Sequence, residues 1–237
     1  AVAGTSGVVY GISDEVKYDP GSRINTFAHV NHSEKNKRLG VLLCINGTGI
    51  MNAWSRKNIS GDGDYESMNK KAGTIPIGSQ GLVILPFGNG AERMLGNINR
   101  GARISNLDLN IHSQEHVFRA VHEGIAFAFR YGIDIMKTLG IEPEIIRAAY
   151  GSLFLSPVFR ETLSNITGSR IELYNTDGSQ GAARAAGVGA GIYGGFDEAF
   201  RRLRIVKEVI PDPSLKENYE SAYNNWLKEL DKYMNNK

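Results

Sequence analysis

Gly4-Thr5-Ser6-Gly7-Val8-Val9 sets two hydroxyl residues between glycines at the head of an apolar run. Glycine takes positive φ at no steric cost, so a turn of this kind can converge its N–H groups on one point as an anion-binding nest. The hydroxyls of Thr5 and Ser6 add donors to the same spot. A tight hairpin would use the same residues, so the rest of the chain has to decide. Two further glycine–hydroxyl turns follow strand-like runs: Asn46-Gly47-Thr48-Gly49 and Gly151-Ser152. Ligands of mixed and parallel sheets sit at such strand ends. Turns converging from several strands hold a nucleotide without a Walker loop, which this chain, having no Gly-Lys pair, does not possess. The nucleophile elbow G-x-S-x-G is also missing.

Residues 8–12, 23–30, 38–46, 81–87, 144–150 and 170–174 are short, rich in β-branched or aromatic residues, and bounded by Gly, Pro, Asn or Asp, as strands are. Turn-length segments between the first three predict antiparallel neighbours, and helical patterns between the later ones predict parallel pairing. The expected fold class is α/β, a mixed sheet of three antiparallel and then parallel strands with helices on both faces. Val117, Val121, Ile125, Phe129, Ile133 and Met136 recur at helical spacing over 114–139, with Ser113 as N-cap and Gly140 as stop. Gly124 and Gly132 inside that helix each cost up to ~1 kcal/mol of propensity, which a close strand or helix neighbour would explain. The Gly/Ala-rich run 179–193 predicts a helix able to approach other backbone closely. From Ser214 onward, Tyr219, Tyr223, Trp226, Leu230 and Tyr233 predict a closing amphipathic helix. No repeat or linker divides the 237 residues, which read as one domain.

Lys+Arg 27 against Asp+Glu 25 gives a formal charge of +2 without a long basic run, so nucleic acid is not an expected partner. The single cysteine, Cys44, has no internal partner and lies in the apolar run 41–45, which suits a reducing, cytoplasmic setting and a buried thiol. No apolar stretch approaches the ~18 residues of a membrane span, and no membrane partner is expected. His112-Ser113-Gln114-Glu115-His116 matches the zinc spacing H-x-x-E-H, but with Ser113 starting the helix His112 falls outside it and no metal ligand is assigned. Gly189-Ala190-Gly191-Ile192-Tyr193-Gly194 formally satisfies G-x-G-x-x-G. It ends a helical run rather than joining a strand to one, so it is read as a crowded helix end.

The order of these segments resembles the C-terminal domain of the FGGY carbohydrate kinases, most closely those of xylulokinase type, over nearly the whole chain. Gly4-Thr5-Ser6-Gly7-Val8-Val9 resembles the family's phosphate turn. Leu85-Pro86-Phe87 with Gly90-Ala91-Glu92-Arg93 resembles its L-P-[YF]…G-x-E-R segment. His112 to His116, Arg119-Ala120-Val121 and Glu123-Gly124 resemble its H-[ST]-x-x-[HD]…R-A-[VL]-x-E-G helix. Trp54-Ser55-Arg56-Lys57-Asn58 resembles W-x-R-[DE]-x, and Ser156-Pro157-Val158-Phe159-Arg160 the run after the adenine-binding glycines. Three departures stand out. Tyr150-Gly151-Ser152-Leu153-Phe154-Leu155-Ser156 replaces Gly-Gly-Gly-Ala-[RK]-Ser, Ala53 replaces a Gln, and Asn106 replaces a glycine.

The resemblance implies an actin-like (ribonuclease H-like) ATPase domain that binds MgATP, with ATP and Mg²⁺ as cofactors and phosphate passing to a sugar hydroxyl, D-xylulose for the xylulokinase type. It implies that Gly4 and Thr5 contact the β/γ-phosphates, that Gly49, Gly151 and Ser156 line the nucleoside and inner phosphates, and that Ser6 belongs to the same cofactor-binding set. In the family the catalytic aspartate lies upstream of the phosphate turn, and a preceding N-terminal sugar-binding domain carries the choice among pentuloses, hexuloses and glycerol. Residues 1–237 are therefore expected to be the C-terminal nucleotide-binding domain of a two-domain kinase, inactive alone, with no catalytic residue assigned and a homodimer of the longer protein as a further possible partner. The alternative is a non-catalytic actin-like module that docks a partner through an exposed Leu153-Phe154-Leu155. An open or a filled pocket at the Gly4, Gly49 and Gly151 turns separates the two.

Overall fold

The structure is a computed structural model describing residues 1–235. A four-stranded sheet opens the chain, with β1 at Val2–Ala3, β2 at Gly7–Ser13, β3 at Asn25–Ala28 and β4 at Leu39–Ile45, in the order β1-β2-β4-β3 and antiparallel throughout. The three early strands are thus antiparallel as the turn lengths predict. However, β3 lies beyond β4 rather than beside β2. Alternating burial along β4 drives Val41, Leu43 and Ile45 inward, each fully buried. Cys44 on the opposite phase is only half-buried, which corrects the expectation of a buried thiol.

Two short helices follow, α1 at Gly49–Asn58 and α2 at Tyr65–Gly73, neither anticipated from the sequence. Each offers an apolar stripe of only two turns or so, too brief for periodicity to register. The Asp64 carboxylate caps α2 by accepting from Ser67 N at 2.8 Å. Next comes a hairpin of β5 (Val83–Leu85) and β6 (Arg103–Ser105). The 81–87 segment therefore pairs antiparallel with a strand the sequence did not reveal and does not join a parallel sheet. The third sheet has β7 (Ile145–Ala149) parallel to β8 (Arg170–Tyr174), as predicted, and β8 antiparallel to β9 (Ile205–Val209). The single mixed sheet of the sequence reading is thus three hydrogen-bonded sheets, of which the last is mixed.

The long helix α3 (Gln114–Lys137) is the spine of the core, and both of its interior glycines mark close approaches. A Cβ on Gly124 would lie 2.2 Å from the Ile84 carbonyl oxygen, and one on Gly132 would lie 2.5 Å from Leu43 Cδ2. Arg119 and Glu123, one turn apart on α3, are both buried and joined by an Nε–Oε1 contact of 2.7 Å. The same carboxylate accepts from Gly78 N (3.0 Å) and Ser79 Oγ (2.9 Å), which pins a turn where Ser79 and Gln80 hold φ of 50° and 51°. The R-A-[VL]-x-E-G pattern is thereby a packing device: the arginine fixes the glutamate, the glutamate fixes the turn, and the glycine admits β5. Asn106 sits at φ 61°, the left-handed region that asparagine tolerates when it stands in for glycine.

Helix α4 (Pro157–Thr167) is capped by Ser156, whose Oγ accepts from Phe159 N at 3.3 Å. Proline stands at its first position, and Gly168 at φ 70° stops it. Helices α5 (Gly178–Gly189) and α6 (Phe196–Ala199) follow. On α5 only Gly187 is buried, and its neighbour is the Tyr193 ring; Gly178, Gly181 and Gly189 face open space. The close backbone approach expected of 179–193 is therefore not made. Helix α7 (Lys216–Asn235) closes the domain, with Tyr219, Tyr223, Trp226, Leu230 and Tyr233 all buried and the Trp226 indole donating to Ile84 O at 3.0 Å.

Alanine at position 124 tests the spine directly. The methyl gains up to ~1 kcal/mol of helix propensity, but it meets backbone, and overpacking of that kind costs roughly 1–3 kcal/mol. Urea unfolding of Gly124→Ala is expected to show a net loss of about 1 kcal/mol; an unchanged or raised midpoint contradicts the close α3–β5 contact.

Candidate functional site

The β2–β4 register brings Gly7 opposite Ile45, so the turn that enters β2 and the turn that leaves β4 lie side by side. They are joined by backbone. Gly49 N donates to Gly4 O at 2.9 Å and Ile50 N donates to Thr5 O at 3.0 Å. Two of the four N–H groups that a helix start leaves unpaired are thus satisfied by the first turn's carbonyls, and that turn becomes the cap of α1. Such an approach requires glycine, since a Cβ on Gly49 would lie 2.2 Å from Gly4 O. Gly7 is equally constrained, with Phe129 and Thr48 Oγ1 each 2.7 Å from where its Cβ would be.

Neither Gly4 nor Gly7 has positive φ, so the first turn is not the nest expected from its glycines. Its carbonyls face α1 instead, while the N–H groups of Thr5 and Ser6 make no hydrogen bond among the described residues. Both residues are exposed. The second turn is committed differently. Glu92, fully buried, accepts from Asn46 N at 3.0 Å and Gly47 N at 2.6 Å, and burial raises its carboxyl above the usual range. The backbone donors expected to face a ligand at Asn46 and Gly47 are therefore spent on an internal carboxylate. The sequence signal for this was Glu92 in the G-x-E-R segment, whose role the residues alone did not show.

Gly4, Thr5, Gly49 and Ser156 line one cavity of about 360 Å³, together with Asn52 and Ala53 of α1, Tyr65 and Asn69 of α2, and Ser152, Leu153 and Leu155. Of the six residues predicted for the site, four line the cavity. Ser6 and Gly151 flank it without lining it. Gly151 is extended at φ −170°, and the left-handed conformation falls on Ser152 at φ 51°, where the family pattern has glycine. Residues Ser152–Leu155 form a 3-10 turn that Arg160 secures from beneath, its Nη1 donating to Leu155 O at 3.0 Å and to Phe154 O at 3.2 Å. Phe154 is buried edge-on against Phe159, Leu153 is buried, and Leu155 alone is half-exposed. The pocket is open, and the exposed Leu153-Phe154-Leu155 surface required by the docking alternative is not present. Asn52, Tyr65 and Asn69 escaped the sequence reading because α1 and α2 did.

Among the described residues, no charged side chain lines this cavity. The starts of α1 and α4 both lie at its edge, through Gly49 and Ser156, with the Gly49, Ile50 and Phe159 N–H groups already paired. Helix N-termini carry partial positive charge and favour anions, and the uncommitted Thr5 and Ser6 donors lie at the same end. The arrangement therefore suits a phosphate-bearing ligand with an apolar flank on Leu153, Leu155 and Ala53. The zinc-like spacing resolves otherwise. His112 precedes α3 and its Nδ1 accepts from Asp108 N at 2.9 Å, while His116 Nδ1 accepts from Ser113 N at 3.1 Å. Both rings serve the entry to α3. The G-x-G-x-x-G run lies at the end of α5, with Gly191 at φ 72°.

This fold is shared with solved sugar kinases. The ligand-bound xylulose kinase of Lactobacillus acidophilus superposes with a TM-score of 0.82 at 22% identity, over 97% of this chain and 46% of that one. Plasmodium falciparum glycerol kinase with ADP gives 0.75 at 21%, over 95% and 46%. Residues 1–190 match the model of the FGGY family of carbohydrate kinases, C-terminal domain, and the chain belongs to that family. It is 31% identical to the xylulose kinase of Haemophilus influenzae over 70% of its own length and 34% of that protein, and 24% identical to that of Bacillus subtilis over 93% and 44%. The chain thus spans less than half the length of the curated relatives it matches.

The buried carboxylate under the second turn gives a stability test. Removing it leaves the buried Gly47 N–H and the part-buried Asn46 N–H unpaired, and Glu92→Ala is expected to cost about 2 kcal/mol in urea unfolding. Glu92→Gln keeps one acceptor and is expected to fall between; an Ala variant as stable as the parent rules out the turn-holding role.

Proposed function

We propose that these residues form the nucleotide-binding half of an ATP-dependent sugar kinase of xylulokinase type, with D-xylulose as the phosphoryl acceptor. The observation that carries the proposal is the open cavity between the Gly4–Thr5 turn and the start of α4, free of acidic side chains and faced by two helix starts. In this reading Gly4, Thr5 and Ser6 meet the terminal phosphates, Gly49 and Ser156 the inner phosphates and ribose, and the 151–155 turn the base. Family membership supports ATP as the donor.

No carboxylate lines the cavity, so no side chain is assigned to Mg²⁺. The donor set fits magnesium carried on the phosphates, where it neutralises charge that develops during transfer. The protein's own contribution is positional: a turn locked by two backbone bonds presents the Thr5 N–H and hydroxyl without needing to reorganise, and preorganised donors are the larger part of phosphoryl-transfer catalysis.

Sugar binding and proton abstraction are assigned to none of the 237 residues. The proposal places them in the N-terminal part that sugar kinases of this family carry, with the whole protein acting in the cytoplasm and this domain as the partner of the sugar-binding one. D-xylulose specificity belongs to that part and rests on similarity to the xylulose kinases.

Calorimetric titration of this chain with MgADP is expected to show weak, saturable binding and no sugar phosphate when MgATP and D-xylulose are supplied. Thr5→Ala removes one neutral hydrogen bond and is expected to weaken binding about fivefold. Gly49→Ala displaces the whole turn and is expected to weaken it at least about tenfold. No heat of binding at millimolar MgADP refutes the proposal.

A further inference from the structure

The chain leaves the third sheet at Tyr174, the end of β8, and re-enters it at Ile205, the start of β9, and Asn175 ties the two ends together. Asn175 N donates to Arg204 O at 3.2 Å, its Nδ2 donates to Arg202 O at 3.3 Å, and its Oδ1 accepts from Arg204 N at 2.8 Å. The β8–β9 pairing is irregular between Leu173 and Tyr174, and irregularities of this kind re-aim the chain as it leaves the ladder. Held in this way, Asn175, Arg201, Arg202, Leu203 and Arg204 line a cavity of about 340 Å³, which shares no residue with the cavity beside the Gly4–Thr5 turn. All three arginines are exposed, and none makes an ion pair among the described residues. The acids close in sequence are engaged elsewhere: Glu198 accepts from Gly194 N, Asp177 from Gln180 N, and Glu208 pairs with Arg170.

We infer that this loop is a second anion site, which takes the phosphate group of a small phosphomonoester. Three guanidiniums within four residues repel one another, and among the described residues no carboxylate lines the cavity to offset them. Arginine's planar fork matches oxyanions in bidentate fashion, and a phosphomonoester presents three free oxygens where a carboxylate presents two. Placement agrees. Strands β7 and β8 are parallel, and Tyr150 N donates to Tyr174 O at 2.9 Å, so Asn175 leaves the sheet at the same carboxyl end as the Gly151 turn. Ligands of α/β sheets bind beyond that end. The cavity also selects the size and kind of ligand. Its volume suits a compact molecule, and Leu203 is the one apolar side chain among its described lining residues, with no aromatic ring to stack a base. A formal charge of +2 without a long basic run does not suit a nucleic-acid strand. The loop lies beyond residues 1–190, the part matched by the family model, so family membership does not supply this site. The inference goes beyond the nucleotide reading and does not rest on it.

The test titrates ribose 5-phosphate into the parent chain by calorimetry, with ribose as the neutral control, and repeats it on Arg202→Gln, Arg204→Gln and Lys35→Gln. All three replaced side chains are exposed, so each variant is expected to melt at the parent temperature. Lys35→Gln removes the same charge from the β3–β4 connection and so reports on general electrostatic attraction alone. The expected result is saturable binding of ribose 5-phosphate to the parent and none of ribose. Each arginine variant should bind at least about threefold more weakly, as loss of one solvent-exposed charge-assisted hydrogen bond implies. Lys35→Gln should change the affinity by less than about twofold, because a distant exposed charge is screened. Saturating MgADP should leave the affinity for ribose 5-phosphate unchanged, since the two cavities share no residue. Absence of saturable binding to the parent, arginine variants that bind as tightly as the parent, or an equal loss in Lys35→Gln would each overturn the inference. Displacement of ribose 5-phosphate by MgADP would also overturn it, by assigning the phosphate to the nucleotide cavity.

Discussion

Two backbone hydrogen bonds, Gly49 N to Gly4 O and Ile50 N to Thr5 O, are the constraint on which the site depends. They tie the entrance of β2 to the start of α1. Everything that lines the cavity on that side inherits its place from them. They hold only because position 49 has no side chain and because the turn before it is clamped from the other side by Glu92. The clasp also sorts the donors. Carbonyls of the first turn point into the protein, so the N–H groups and hydroxyls of Thr5 and Ser6 are left outward and unspent.

The electrostatics follow from the same arrangement. Among the described residues no charged side chain lines the cavity, and the starts of α1 and α4 lie at its edge. Fixed dipoles of this kind do not titrate near neutral pH and need no rotamer ordering when a ligand binds. Leu153, Leu155 and Ala53 give the cavity an apolar flank, and Arg160 holds the turn on that flank by reaching the carbonyls of Phe154 and Leu155 from below. The strained Ser152 is the exception to this economy. It holds a left-handed φ where the family pattern has a glycine, at a cost that the surrounding turn must cover.

Much of the fold was legible in the residues. The long helix α3 declared itself by six apolar positions at helical spacing, and its two glycines correctly announced close neighbours in Ile84 and Leu43. The closing helix was equally plain in its aromatic stripe. Strand partners were less so: nothing local in 81–87 says that it pairs with 103–105, because register between distant segments is set by tertiary packing. The Gly/Ala run of 179–193 misled for a related reason. Small residues permit close approach but do not compel it, and α5 keeps them mostly exposed. At the site, the glycine–hydroxyl turns pointed to Gly4, Thr5 and Gly49 and the family resemblance added Ser156, all of which line the cavity, but neither showed the direction in which each turn's N–H groups point. The G-x-E-R segment marked Glu92 without showing that it takes up the Asn46 and Gly47 amides, and Asn52, Tyr65 and Asn69 were missed because α1 and α2 are too short for periodicity to register.

Hydrogen exchange at two amides tests the central clasp most directly. In the free protein the amides of Gly49 and Ile50 should exchange as slowly as those of the β2–β4 ladder, while the adjacent Thr5 and Ser6 amides exchange at the rate of exposed backbone. Exchange of Gly49 and Ile50 as fast as that of Thr5 and Ser6 would show that the turn and the helix are not joined, and the account of the site built on that junction would be wrong.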